Sequence, residues 1–388
     1  MADVPTAELL HAEALVDAAR KQTGLSDFGG DTWRAALEIL IDSANREAKL
    51  NDMGRASLAS HVVTLLVNRL QVSDWIRCNP EILRQRIERP LFVVGLGRTG
   101  STRLQYLLAQ DPANRSLRRF ESVRSCPIPG AGSAEPDPRI AIMEKEDEAA
   151  GLLIPEFKSI HHEPVDGPTE CVMLFRQEFR SFCFESQWAL PTWGEWFMSC
   201  DMAPAYAYHQ RVLQLLQWQI PGRWILKSPV HSIALDALVA AYPDARFVMT
   251  HRDPLQVVAS TCSLALTLVG LGSDADHRAY VIRRWAELAQ TQLARIMDFR
   301  ARHPERVFHD LHYRALVADP LGAVRGIYER FGLELTPLAE SRISAYAAAH
   351  SQGEFGAHRY SVAEFGLDTP RERGRFTDYC ERFGIAMR

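Results

Sequence analysis

No Cys-x-x-Cys pair occurs among the seven cysteines, and their number is odd. A disulfide framework and a zinc knuckle are therefore not indicated, and a reducing compartment fits. No His-x-x-x-His or His-Glu-x-x-His spacing appears, so no metal site is expected. Positive charge is not in excess. The formal net charge is −4, which argues against a nucleic-acid partner that needs a strongly basic surface. The N-terminus lacks a charged region followed by a long apolar run. No stretch reaches the ~18 apolar residues that a membrane span needs. The expectation is a cytoplasmic protein without an integral membrane segment. What remains is globular: 388 residues, 47% hydrophobic and 24% charged, enough for one large domain or two smaller ones.

The most informative stretch is Arg89 to Leu108. Leu91 to Val94 form an unbroken apolar run of β-formers, which suits a strand covered on both faces. Gly95, Gly97 and Gly100 then allow close backbone approach to a ligand. Ser101 and Thr102 open a helix whose Leu104, Leu107 and Leu108 face inward. A helix N-terminus behind a glycine turn offers N–H groups and a positive dipole end to an anion. The spacing is close to the phosphate-binding loop, but Ser101 stands at the lysine position and Arg98 is the only cation in the turn. Without that lysine, nucleotide triphosphate hydrolysis is a poorer reading.

Two further strand ends carry charge. Trp224 to Leu226 predict a strand that ends at Lys227 and Ser228, before a helix over 231–241. An ammonium at the end of an apolar strand needs an anion, because burying it unpaired is costly. Arg246 to Thr250 predict another strand, followed by the turn His251–Pro254 and a helix carrying Ser260. Asp253 fits the N-cap and Pro254 the first helical turn. Arg252 can hold an anion through two hydrogen bonds.

Between these blocks the sequence is less decisive. Residues 6–88 read as helices, with starts at Asp31-Thr32 and Asp74. The connection from Asp111 to about Asp137 reads as long and irregular, and it carries Glu121. A helix is expected over 140–154. His161, His162, Glu163, Asp166 and Glu170 crowd a proline-broken segment, where an acid or base role is more plausible than a metal. Aromatics concentrate over 171–220, and residues 171–200 read as the wall or lid of an acceptor pocket as well as core. Helices are also expected over 278–300, 319–331 and 337–350, with a strand starting at Val307.

At this point the chain resembles the sulfotransferases that use 3′-phosphoadenosine 5′-phosphosulfate (PAPS), in particular a bacterial branch. The resemblance rests on Gly95 to Thr102, on Leu226 to His231, on Arg252 with Ser260 eight residues later, and on the tail Gly356-x-His358-x-Tyr360. It implies a P-loop-like three-layer α/β fold, a central parallel sheet flanked by helices, over residues 89–388. Residues 1–88 would be a helical cap or extension. It also implies that Gly97, Arg98, Thr99, Gly100, Ser101 and Thr102 hold the 5′-phosphosulfate and that Arg252 and Ser260 hold the 3′-phosphate. His358 and Tyr360 would belong to a further cofactor loop. Lys227 with Arg98 would neutralise the transferring group. A His or Glu base would take the acceptor's proton. The candidates are Glu121, His161, His162, Glu170 and His231, and the sequence does not choose among them. The implied partner is a small hydroxyl acceptor, apolar or aromatic. A homo-oligomer is left open, and so are a P-loop kinase or NTPase and a non-catalytic nucleotide-binding protein.

Overall fold

Five short segments, most of them apolar, pair into one fully parallel sheet of order β2-β3-β1-β4-β5. The strands are β1 (Leu91–Gly95), β2 (Asn114–Ser116), β3 (Arg223–Lys227), β4 (Arg246–His251) and β5 (Phe308–His312). These observations come from a computed structural model, which describes residues 9–128, 136–153, 163–350 and 361–387. β1 is central. It pairs with β3 on one side, Val93 opposite Lys227, and with β4 on the other, Gly95 opposite Thr250. The three strand ends singled out in the sequence therefore lie side by side. In open parallel sheets this carboxyl edge is where ligands bind.

Successive strand residues alternate between two cores. Leu91, Val93, Ile225 and Val248 pack on Leu104, Leu107, Leu108, Leu316 and Ile327. Phe92, Val94, Leu226, Phe247 and Met249 face a larger core on the other side. That core is continuous with Leu15, Leu37, Leu58 and Leu66 of the N-terminal helices Ala12–Thr23, Arg34–Glu47 and Asp52–Cys78. The N-terminal region thus buries its apolar stripes in the same interior as one sheet face.

Several expectations are corrected. Asp74 does not start a helix. It lies inside Asp52–Cys78, whose cap is Asn51, accepting from Gly54 N at 2.8 Å. The connection after Asp111 is not irregular throughout. It holds β2, a three-residue edge strand of polar sequence, and the helix Arg119–Val123. The segment 231–241 is broken at Ala234 between a 3-10 turn and the helix Leu235–Ala241. His251 ends β4 and is not part of the turn that follows. Finally, Pro254–Gly272 is long and apolar enough to cross a membrane by length and composition, contrary to the expectation that no stretch is. Half of its apolar window is buried, with Leu255, Val258, Cys262 and Ala265 inside the larger core.

Candidate active site

The loop after β1 is held in a conformation that few residues adopt. Gly95 has φ +111°, and a Cβ there would lie 2.8 Å from the Thr250 carbonyl oxygen. Gly100 has φ +84°, and a Cβ there would lie 2.8 Å from Tyr313 Cδ2. Arg98, which has a Cβ, also sits in the left-handed region at φ +58°. For an L-residue that costs on the order of 1–2 kcal/mol, so the surrounding structure imposes it. Thr99 Oγ1 donates to Leu96 O at 2.7 Å and lies 2.6 Å from Thr250 Oγ1, which fastens the turn to β4. Thr99 therefore shapes the loop with its side chain. Beyond Gly100 the helix Ser101–Leu108 begins, with Ser101 buried and Thr102 exposed.

Arg98 Nε donates to Ser260 Oγ at 3.1 Å, and Arg252 Nη1 donates to the Arg98 carbonyl at 2.8 Å. The loop and the second motif, 162 residues apart in the first pair, form one cluster. Arg252 is also placed by the Tyr313 ring, 4.6 Å from its guanidinium carbon. Asp253 caps the following helix as expected, accepting from Leu255 N at 3.0 Å. Beneath this cluster, His251 bridges Asp310 and Tyr379 at 2.9 Å each, and Arg300 grips Asp310 through both carboxylate oxygens.

Lys227 is 1% exposed. Its ammonium donates to Thr102 Oγ1 at 3.1 Å and to Glu170 Oε1 at 2.5 Å. Its counter-charge in this structure is Glu170, a residue of the segment that follows the helix Pro138–Leu153. Glu170 is carried there by its backbone neighbours. Thr169 N donates to Leu117 O at 2.7 Å, Gln105 Nε2 to Thr169 O at 3.0 Å, and Cys171 N to Lys227 O at 2.9 Å. Glu170 thus stands beside the start of the cradle helix with about a quarter of its side chain exposed.

The other base candidates are placed differently. Glu121 is buried at 1% and is held by Arg115 and Arg118, each 2.9 Å from Oε1. Burial would raise its pKa, but the two guanidiniums outweigh it and hold the carboxyl below its usual range. Glu121 also accepts from Arg118 N at 3.0 Å, a helix-start bond. Its acceptor capacity is spent on structure. His231 is fully buried, with Nδ1 2.9 Å from Tyr206 Oη and the ring edge-on to Phe92 and Phe175. Burial, with His209 close by, pushes its pKa well down, so it is a neutral core histidine. His161, His162, His358 and Tyr360 lie outside the described residues. Among those described, no three or more His, Cys, Asp or Glu gather as a metal site.

The aromatic wall is mostly interior. Phe175, Phe179, Phe184, Trp188, Trp193 and Phe197 are buried, whereas Phe182 and Trp196 keep some exposure. A residue passed over in the sequence is Arg176, buried among these rings. The available signal was a cation inside an aromatic run.

The cluster fits a ligand with more than one anionic group. The cradle has no room for Cβ atoms at Gly95 and Gly100, and three cations, Arg98, Lys227 and Arg252, stand at adjacent strand ends with hydroxyls of Thr102 and Ser260. Comparison with known proteins agrees. The sequence profile described as the sulfotransferase family matches residues 90–337. The omega-hydroxy-beta-dihydromenaquinone-9 sulfotransferase of Mycobacterium bovis is 24% identical over 289 residues, which span 71% of this chain and 71% of that protein. A crystal structure of a sulfotransferase from Mycobacterium avium superposes with a TM-score of 0.90 at 32% identity, covering 100% of this chain and 99% of that one. A sulfotransferase from Mycobacterium tuberculosis gives 0.85 at 33% identity, covering 95% and 99%.

Proposed function

The chain belongs to the sulfotransferase family, and from that premise we propose that it moves a sulfuryl group from PAPS to a hydroxyl of a small, apolar or aromatic acceptor. PAPS supplies the activated sulfuryl group. The residues that would hold it are Gly97 to Thr102 at the 5′ side and Arg252 with Ser260 at the 3′-phosphate. The loop's backbone N–H groups and the N-terminus of the helix Ser101–Leu108 would receive the anionic end.

One observation carries the assignment of roles: Lys227 joins Thr102 to Glu170. Lys227 bonds Glu170 through Oε1, which leaves Oε2 to take the acceptor's hydroxyl proton as the new S–O bond forms. Arg98 and Lys227 would neutralise the charge that grows on the departing phosphate as its bond to sulfur breaks. Glu170 is therefore the proposed base. Glu121 and His231 are assigned to structure. The M. bovis relative, by its name, acts on an omega-hydroxylated menaquinone derivative, which supports an apolar alcohol or phenol. The seven free thiols support a reducing, cytoplasmic setting.

The test is transfer of labelled sulfate from PAPS across hydroxylated prenyl quinols, sterols, phenols, alkanols and carbohydrates, with divalent metals chelated. Transfer to one of the apolar classes is expected, with at least about a hundredfold loss of kcat in Glu170→Gln and retained binding of adenosine 3′,5′-bisphosphate. Binding without transfer to any class, or full activity in Glu170→Gln, would sink the respective claim.

A further inference from the structure

Among the described residues, four of the buried arginines are paired with a carboxylate, and Arg176 and Arg246 are not. Arg69 and Arg180 share Glu178, Arg115 pairs with Glu121, and Arg139 pairs with Asp137. Arg246 starts β4 at the opposite edge of the sheet, where burial and the cations Arg89 and Arg223 weigh more than Asp244. Arg176 is 3% exposed and reaches no carboxylate among the described residues. Its Nη2 donates to Gln187 Oε1 at 2.7 Å, its Nη1 lies 3.7 Å from Met173 Sδ, and its Nε has no partner. The guanidinium carbon lies 5.5 Å from the Phe184 ring centre. His61 stands near the same ring, its ring centre 6.1 Å from Phe184 and 6.0 Å from Trp188, and its Nε2 is buried without a partner.

A guanidinium cannot shed its proton, so removing it from water without a counter-charge is a standing cost to the fold. Such a group fits a site completed by an anion from elsewhere. The surroundings point the same way. His61, Met173, Cys183 and Gln187 all keep accessible surface around Arg176. Cys183 stands near enough to Arg176 and to Glu170 to feel both charges. Arg176 follows Glu170 by six residues through one short helical segment, Val172–Phe175 and then Arg176–Glu178. At helical rise that separation is on the order of 10 Å.

We propose that Arg176, with His61 and Gln187 beside it, is an acceptor-side subsite for a carboxylate. The acceptor is then an apolar hydroxy acid whose acid group lies on the order of 10 Å from the reacting hydroxyl. The carboxylate takes the two-pronged guanidinium bond, and the half-buried Met173 lines the start of the apolar stem. This rests on the sulfotransferase reading for the meaning of the hydroxyl end, but its test needs no turnover.

The full chain, saturated with adenosine 3′,5′-bisphosphate, is titrated by calorimetry with ω-hydroxy acids from hexanoate to dodecanoate and with the methyl ester of each. The expected result is that at least one acid binds about tenfold or more tightly than its ester. Arg176→Gln erases that preference, and Arg176→Lys, which keeps the charge but not the fork, reduces it. Adenosine bisphosphate binding by the same samples reports folding. If Arg176→Gln does not fold, Arg176→Lys decides. Equal binding of acids and esters by the wild type overturns the proposal, and so does a preference that persists unchanged in a folded variant. An acid preference without sulfuryl transfer would instead tell against the proposed function and leave the subsite standing.

Discussion

Lys227 Nζ lies between Thr102 Oγ1, at 3.1 Å, and Glu170 Oε1, at 2.5 Å, so one ammonium joins the start of the cradle helix to the proposed base. It is one of only five lysines in the chain. Replacing it with methionine keeps the stem's volume and removes the charge. We expect Lys227→Met to lower kcat by about two to three orders of magnitude, as when one stabilising donor is lost at a transferring group. Glu170, partly exposed, can recover water as a partner, so the thermal midpoint should fall by no more than a few degrees. Steady-state kinetics with a melting curve check both. A normal kcat removes Lys227 from the chemistry.

Arg252 and Ser260 are expected to act on cofactor binding. Arg252→Ala removes a guanidinium and the bond that steadies the Arg98 carbonyl. Calorimetry with adenosine 3′,5′-bisphosphate should show at least about a tenfold weaker Kd, and Ser260→Ala a smaller loss. Chelating divalent ions should leave the wild-type Kd unchanged. Equal affinity in wild type and Arg252→Ala would refute the assignment of the 3′-phosphate.

Glu121 gives a stability test and not a catalytic one. Glu121→Gln leaves the buried Arg115 and the half-buried Arg118 facing a neutral amide, a change that costs about 3–5 kcal/mol when a buried pair loses one member. The kcat per folded molecule should be unchanged. The pH dependence follows from the lowered carboxyl. Its contribution is complete above the unfolded value of 4.5 and is lost as pH falls toward the folded value. Urea titrations at neutral pH and below pH 4.5 should therefore converge for wild type and variant at the acid end. Divergence that grows on acidification would contradict this.

Gly100→Ala places a Cβ 2.8 Å from Tyr313 Cδ2 in a backbone with φ +84°. The backbone alone costs on the order of 1–2 kcal/mol. Because the displaced ring is the one that places Arg252, cofactor affinity should fall along with the melting temperature. Gly24→Ala, also at positive φ but with open space around it, should cost stability without touching affinity.

Local chemistry made much of this legible in the sequence. Apolar runs ending in glycine or a cation mark β1, β3 and β4 because strand, turn and helix-start preferences act over a few residues. Adjacency of those ends was not readable in the same way, since the β1–β3 and β1–β4 registers are long-range facts. β2 escaped because Asn114-Arg115-Ser116 has no apolar signature. Its pairing with β3 comes from position in the sheet. Glu121 looked like a base because it follows the cradle helix. The arginines that occupy it, Arg115 and Arg118, are near in sequence, but only the fold turns them inward. Glu170 could be named but not chosen, because what brings it to Lys227 is the docking of residues 163–171 along Leu117, Gln105 and the end of β3.

The distribution of the site over β1, β3 and β4 bears on how the protein is made. A chain leaving the ribosome exposes Arg98 long before Lys227, and Ser260 later still. Until Ser260 has emerged, Arg98 lacks the hydroxyl that holds its side chain and the arginine that holds its carbonyl. A nascent chain therefore has no complete cluster until Ser260 has been made. Once formed, a ligand that binds only the finished arrangement adds stability in proportion to its occupancy. The nucleotide would then act as a seal on a completed sheet, with no part as a template for building one.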